Sequence, residues 1–147
     1  MWVVIWAVTL VGLRLTLLAP EVCPDVTVAD AHRAAVASAD WIANNQASDG
    51  QYLYDWDINA DRPATGDYNA VRHAGTTMAL YQFAAEGEVA YLDPADQGVD
   101  WLLERRVDNG ARTAISVSPN GQAKLGTAAL LTVGLVHRRL ATNDTKY

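Results

Sequence analysis

The sequence predicts an all-α fold, in which antiparallel helical hairpins form part of an (α/α) barrel or toroid. The first observation is a repeat: segments 39–42 and 99–102 each lead through a polar loop to a Gly-Thr pair and an apolar helix. The second is that two amphipathic helices alternate with two helices that are apolar nearly all round. The third is the length of 147 residues, which holds two such hairpins where a closed toroid needs about six. We therefore expect an incomplete toroid, completed by further repeats or by an oligomer partner.

Four helices follow from the hydrophobic spacing. The first and third, at 30–46 and 94–107, are amphipathic and are predicted to lie on the outside. The second and fourth, at 68–85 and 123–140, are predicted to be enclosed. Asp67 is predicted to cap the N-terminus of the second helix. In such an arrangement the enclosed helices point the same way, so their N-terminal ends meet at one mouth.

Repeat positions predict the core. The first helix carries an apolar stripe at helical spacing, formed by Ala34, Ala37, Trp41 and Ile42. Trp41 and Trp101 are equivalent in the two repeats, and both are predicted to be buried. The recurring Gly-Thr pairs, at 75–76 and 126–127, are interpreted as packing positions. The loops before the enclosed helices contain short extended pieces, but no sheet is predicted.

Domain organisation follows from the apolar N-terminal run, which is typical of a signal peptide or membrane anchor. The prediction assigns 1–20 to that segment, 21–29 to a linker and 30–147 to the partial toroid domain. The two hairpin repeats occupy 30–86 and 90–141. This leader predicts a protein that is exported or membrane-anchored at the cell envelope, with the membrane contacted through the N-terminal segment.

Composition excludes some functions. The formal net charge is −6, and no basic cluster is present, so nucleic-acid binding is not expected. Cys23 is the only cysteine, which excludes an internal disulfide and is interpreted as an incidental thiol.

The candidate catalytic residues lie around the start of the second helix. Asn69, Arg72, His73 and Thr76 are spaced to share one helical face. Arg72 suits a carboxylate or phosphate group, and Asp67 or His73 is a candidate for proton transfer. In the alternative interpretation, Arg72 and His73 hold the neighbouring helix and loop by hydrogen bonds.

A cluster of aromatic residues precedes this helix, and such faces suit sugar or isoprenoid ligands. Lys124 is added because it aligns with His73 in the repeat. The predicted substrate-binding set is Tyr52, Tyr54, Trp56, Tyr68, Asn69, Arg72 and Lys124.

The acidic loop offers an alternative metal site. Oxygen ligands stand at alternate positions, as in a calcium loop: Asp55, Asp57, Asn59 and Asp61. Ala60 replaces the usual turn glycine, and Gly66 stands where the bidentate Glu is expected. We expect no cofactor, with calcium kept as the alternative; a glycan-type site using Asp55 or Asp57 is also open.

Three segments carry a resemblance to a known family: 46–52, with its Gln…Asp-Gly-Gln-Tyr element, 68–76 and 124–130. They resemble the α/α-toroid superfamily, which contains terpenoid cyclases, prenyltransferase subunits and six-hairpin glycosidases. The resemblance covers about residues 30 to 141. Within the superfamily, the chain resembles a bacterial, envelope-associated branch. It implies the fold more than an activity. The acidic cyclisation motif of the terpenoid enzymes is not found, and prenyltransferase zinc ligands are not recognised.

The functional hypothesis is an envelope-associated toroid domain that binds or processes a carbohydrate-type ligand. Two alternatives stay open: a non-catalytic helical-repeat scaffold, and a terpenoid-cyclase-like protein. The expected partner is a small molecule or glycan.

Overall fold

The computed structural model describes residues 2–17, 24–64, 66, 68–118 and 120–147. The chain divides into two compact units, Met1–Arg33 and Ala34–Tyr147. The elements in chain order are α1 (Trp2–Thr16), α2 (Val28–Asn44), β1 (Trp56–Asp57), β2 (Arg62–Pro63), α3 (Ala70–Ala85), a 3-10 turn (Val89–Tyr91), α4 (Leu92–Leu103), β3 (Arg106–Asp108), β4 (Thr113–Ile115) and α5 (Leu125–Thr142).

The prediction of an all-α toroid is wrong, because both polar loops carry small antiparallel sheets. β1 pairs with β2, with Trp56 opposite Pro63. β3 pairs with β4, with Arg106 opposite Ile115. The described residues therefore form a mixed fold, in which helices are joined by two two-stranded sheets.

Local turn chemistry explains the second sheet. The third helix, predicted to reach position 107, ends at Leu103, and the residues after it enter β3. The Asn109 side chain accepts hydrogen bonds from the backbone N–H of Ala111 and Arg112, at 3.3 and 3.0 Å. Gly110 adopts a φ of 84°, a left-handed conformation that costs glycine little. An Asn-Gly pair between extended residues is a strong hairpin signal.

α3 and α5 pack against each other in parallel, since the contacting positions increase together along both helices. Each contact places a glycine of one helix against a side chain or backbone of the other, which lets the axes approach closely. The contacting pairs are Gly126 with Val71, Gly75 with Leu130, and Gly134 with Met78. Both glycines of the repeated Gly-Thr pairs therefore lie at this interface.

The predicted burial of the two equivalent tryptophans is confirmed for one and wrong for the other. Trp101 is 3% exposed, but its repeat equivalent Trp41 is 54% exposed. The reason is the orientation of α2: Ala39 is its buried residue, and Ile42 and Ala43 pack against the core, so Trp41 lies outside the inward face.

α5 is not enclosed as predicted. One face packs on α3, and four large apolar side chains elsewhere on the helix are exposed: Leu125, Val133, Val136 and Leu140. The hydrophobic pattern alone could not distinguish an enclosed helix from one whose second face lacks a neighbour in the described structure.

The residues after α5 return to α4. Arg138 pairs with Asp96 through Nε–Oδ1 at 2.7 Å and Nη2–Oδ2 at 3.1 Å. Lys146 donates to Asp96 Oδ2 at 2.8 Å, and the Tyr147 hydroxyl donates to Asp100 Oδ1 at 2.8 Å. The C-terminal segment is thus fixed beside α4.

The first unit contains α1, whose large apolar side chains are exposed along its length. Trp2 near its start and Leu15 near its end are each 72% exposed. Within the described ranges, no helix combines the length and the apolar character needed to cross a membrane. Residues 18–23, which include Cys23 and the end of the predicted leader, lie outside the described residues. The leader stays a prediction.

Candidate functional site

α3 begins with a side-chain cap supplied by Asn69. Its Oδ1 accepts from the backbone N–H of Val71 at 3.0 Å and of Arg72 at 3.3 Å. This satisfies two of the amides that every helix leaves unpaired at its start. The predicted cap, Asp67, is a residue outside the described part of the chain, and its catalytic role stays a prediction. Asn69, predicted as a ligand contact, therefore has a capping role.

His73 is buried, at 2% exposure, and both of its ring nitrogens are occupied. Nε2 donates to the Gly98 carbonyl at 2.8 Å, because a carbonyl can only accept. Nδ1 then accepts from the Tyr68 hydroxyl at 2.7 Å. The ring also stacks on Trp101, with centroids 4.5 Å apart and planes inclined by 15°. These bonds fix one neutral tautomer.

Burial lowers the pKa of His73 to about 4, although the Gly98 carbonyl acts in the opposite direction. The imidazole is therefore neutral at physiological pH. Burial also raises the pKa of Tyr68 to about 12, so its hydroxyl keeps the proton that it donates to His73.

Tyr68 also lines a cleft of about 530 Å³. Three of the predicted aromatic residues line it, Tyr52, Tyr54 and Tyr68, together with side-chain amides and one described carboxylate. We call it the tyrosine–amide cleft; its lining side chains include Asn45, Gln46, Gln51, Tyr52, Tyr54, Asp55 and Tyr68.

The floor of the cleft is held to α4. Gln46 donates from Nε2 to Gly50 O at 3.0 Å and to Pro94 O at 2.9 Å. The Tyr52 hydroxyl also donates to Pro94 O, at 3.2 Å. Tyr52 is buried, and burial raises the pKa of its hydroxyl well above the ordinary value. Gln46 and Tyr52 are therefore preorganised by contacts within the protein.

The rim of the cleft is more exposed. Tyr54 contacts Tyr68 with ring centroids 5.4 Å apart, and the Arg72 guanidinium lies 5.2 Å from the centre of the Tyr54 ring. Among the described residues, the Tyr54 hydroxyl and the Gln51 side-chain amide make no hydrogen bond. These groups are available to a ligand.

The predicted polar stripe therefore separates into different environments. Asn69 caps the helix, Arg72 reaches the cleft rim, and His73 is enclosed. Trp56 is 44% exposed on β1, and Lys124 lines a different cavity. Neither belongs to the described lining of the tyrosine–amide cleft.

The acidic loop forms the connection between β1 and β2. Asp57 Oδ1 accepts from the backbone N–H of Asn59 at 2.9 Å and of Ala60 at 3.0 Å, so this carboxylate stabilises the turn. Asp61 has a φ of 47°. In the part of the chain that the structure describes, no group of three or more His, Cys, Asp or Glu side chains is arranged to hold a metal ion. Calcium binding stays a prediction.

Sequence reasoning missed the amides of Asn45, Gln46 and Gln51 as lining groups. Their signal was present, since they flank the tyrosines within one short segment. No protein-family model, curated protein or solved structure matches the chain.

Proposed function

We propose that the chain binds a carbohydrate-type ligand in the tyrosine–amide cleft. The observation that carries the proposal is that three tyrosines and three amide residues line one opening. The side-chain amides of Asn45 and Gln46 donate to backbone carbonyls of the protein, so Gln51 is the amide offered to a ligand. Ring faces pack on the C–H surfaces of sugars, and amides can both donate to and accept from hydroxyl groups. The volume of about 530 Å³ lies within the range of roughly 300 to 1,000 Å³ that is typical of small-molecule sites.

Binding without catalysis is the form of the proposal that the described residues support. Glycoside hydrolysis uses two carboxyl groups that flank the reacting bond. Among the described lining residues, Asp55 is the single carboxylate. His73 is enclosed and its nitrogens are engaged by Tyr68 and Gly98, which supports a structural role.

The Arg72 guanidinium favours a charged sugar whose carboxylate binds beside Tyr54 and away from Asp55, the carboxylate of the described lining. Arg72 lies at the rim beside Tyr54, where its planar guanidinium can bind a carboxylate with two hydrogen bonds. We therefore propose that a sugar acid binds more tightly than a neutral sugar of the same length.

Location at the cell envelope is part of the proposal. The support is α1, an apolar helix whose large side chains are exposed. Fractionation of cells that express the full chain tests this part: recovery with the envelope fraction supports it, and recovery only in the cytoplasmic fraction contradicts it.

Calorimetric titration with cellotriose, chitotriose and trigalacturonate tests the binding. Trigalacturonate should bind, and Tyr54→Ala and Gln51→Ala should each weaken it about tenfold by removing a contact with the ligand. Arg72→Gln should weaken trigalacturonate and leave neutral trisaccharides unchanged. Trp41→Ala removes an exposed aromatic outside the cleft and is the matched control. Equal affinity in all four variants, or no binding of any probe, overturns the proposal.

A second candidate, a scaffold with no ligand, is favoured by the closed hydrogen bonding of His73. The two candidates differ in the titration above. A scaffold binds none of the probes, while a binding domain loses affinity in the cleft variants and keeps its stability.

A further inference from the structure

A second cavity, of about 210 Å³, lies at the N-terminus of α5. We propose that it binds a small organic carboxylate, with the charged group at the start of the helix and the carbon chain against an apolar wall. This cavity shares Tyr68 with the tyrosine–amide cleft, but its other lining residues differ, and the proposal does not depend on the function proposed for the cleft. Its lining residues are Tyr68, Ala70, Ile115, Val117, Ser118, Gln122, Lys124 and Thr127.

The start of α5 lacks the cap that α3 possesses. Asn69 bonds two amides of α3, whereas Lys124, at the equivalent position of α5, makes no side-chain cap bond. The first turn of an 18-residue helix carries a partial positive charge, and its amides point outward from the helix end. An oxyanion can therefore supply the acceptor that the sequence does not.

Thr127 is the independent observation. It lines the cavity and is 1% exposed, and its hydroxyl has no hydrogen-bond partner among the described residues. Two other threonines of α5, Thr132 and Thr142, donate to the carbonyl four residues earlier, at 2.8 and 3.0 Å. For Thr127 that position is Ala123, which precedes the helix. A buried hydroxyl without a partner is costly, and a carboxylate oxygen would relieve this cost.

The remaining lining determines the class of ligand. Lys124 is exposed beside the helix start and supplies a full positive charge. None of the described lining residues is acidic, so no carboxylate repels an anion. Ala70, Ile115 and Val117 form an apolar wall, which favours a carbon chain over a bare inorganic ion.

The loop that closes the cavity is held in place. The Ser116 hydroxyl donates to Gln122 O at 2.8 Å, and Ser116 N donates to Arg105 O at 3.1 Å. The described wall formed by Val117 and Ser118 is therefore fixed to the segment that follows α4.

The test is an amide chemical-shift titration of the full chain with sodium butyrate, with butyramide as the neutral analogue. Butyrate should shift the amides of Leu125 and Gly126, and butyramide should not. Thr127→Val should weaken butyrate about tenfold, the scale of one hydrogen bond to a charged group. Lys124→Gln should weaken it by a similar factor, and Arg139→Gln, which removes the same charge from the other end of α5, should leave it unchanged.

Thr127→Val also has a stability readout that separates folding from binding. Replacing an unpartnered buried hydroxyl by a methyl group is expected to leave the thermal midpoint unchanged or raise it. A variant that is as stable as the parent and binds butyrate weakly supports the site. Equal binding in the parent and in both cavity variants, or no butyrate shift at α5, overturns it. Inorganic phosphate is the second arm: binding of phosphate but not butyrate overturns the carboxylate assignment.

Discussion

The hydroxyl of Tyr68 donates to Nδ1 of His73 over 2.7 Å. One face of Tyr68 lines the tyrosine–amide cleft, and His73 continues the connection to the Gly98 carbonyl of α4. The wall of the cleft is therefore fixed to the helical core by a buried, neutral imidazole. We infer that His73 positions the binding cleft and that other lining residues of the cleft, Gln51 and Tyr54, contact the ligand.

Removal of the imidazole should destabilise the protein. His73→Ala loses two buried hydrogen bonds and the stack on Trp101, so we expect the free energy of unfolding to fall by about 2 to 4 kcal/mol. Urea denaturation measures this change. His32→Ala, at an exposed position, is the control and should change stability by less than about 0.5 kcal/mol. A similarly small effect at His73 would show that the enclosed bonds are not structural.

Stability should depend on pH through His73. The pKa of His73 is about 4 in the folded protein, and we take the ordinary histidine value of 6.5 for the unfolded chain. Between these two pH values the unfolded chain therefore binds more protons than the folded protein. The contribution of His73 to the free energy of unfolding should be completely retained above pH 6.5. It should fall by about 3 kcal/mol as the pH drops towards 4. Asp96 loses its own contribution at lower pH, because its pKa lies below 3.8.

Urea midpoints between pH 4.5 and 7.5 separate the His73 contribution from the rest. His73→Gln can still donate to the Gly98 carbonyl but does not titrate. The variant should be less stable at pH 7 and should lose most of the slope across this window. An unchanged slope in the variant would assign the pH dependence to other groups.

Two glycine-to-alanine substitutions should differ in their effect on stability. A Cβ at Gly98 would overlap the Tyr52 hydroxyl and lie 2.7 Å from Thr77 Oγ1, so Gly98→Ala should cost about 2 kcal/mol and weaken ligand binding. A Cβ at Gly75 would lie 3.5 Å from Leu130 Cδ1, an ordinary contact. Gly75→Ala should therefore be neutral or stabilising by up to about 1 kcal/mol. Thermal melts compare them, and equal effects would contradict the tight packing at Gly98.

The ion pair between Asp96 and Arg138 should be necessary for the C-terminal segment. Burial raises the pKa of Asp96, but hydrogen bonds from Arg138, Lys146 and Tyr81 outweigh this and hold it below the ordinary value. Asp96→Asn leaves the buried guanidinium of Arg138 without its main counter-charge, so we expect a loss of about 3 kcal/mol.

The matched control for this ion pair is Glu104→Gln. Glu104 forms an exposed pair with Arg105 at 3.6 Å, and such pairs contribute little. The double variant Asp96→Leu/Arg138→Met should recover part of the lost stability, because no charge is left buried alone. A single Asp96→Asn variant as stable as the Glu104→Gln control would contradict the assignment.

The helices were predictable because hydrophobic spacing is a local property. The second helix, predicted at 68–85, is observed at Ala70–Ala85. The environment of each helix was not predictable from its repeat. Trp41 and Trp101 occupy equivalent positions, yet Trp41 is exposed, because α2 faces the core through Ala39, Ile42 and Ala43.

The candidate site was partly predictable. Tyr52, Tyr54 and Tyr68 were selected as ligand contacts from their aromatic faces, and the structure brings them to one cleft. The environment of His73 was not predictable, since its partner at Gly98 lies on another helix. Spacing on one helix identifies a shared direction, but burial depends on what the rest of the chain places there.

Amide chemical shifts during a titration with trigalacturonate locate the bound ligand as well as detect it, so they distinguish binding in the tyrosine–amide cleft from binding elsewhere. We expect the shifts to concentrate at Gln51, Tyr54 and Asp55, with the Tyr54→Ala variant losing them at the same ligand concentration. The His73 ring resonances should keep a single neutral tautomer throughout. Shifts confined to other surfaces, or protonation of His73 on ligand addition at pH 7, would contradict this account.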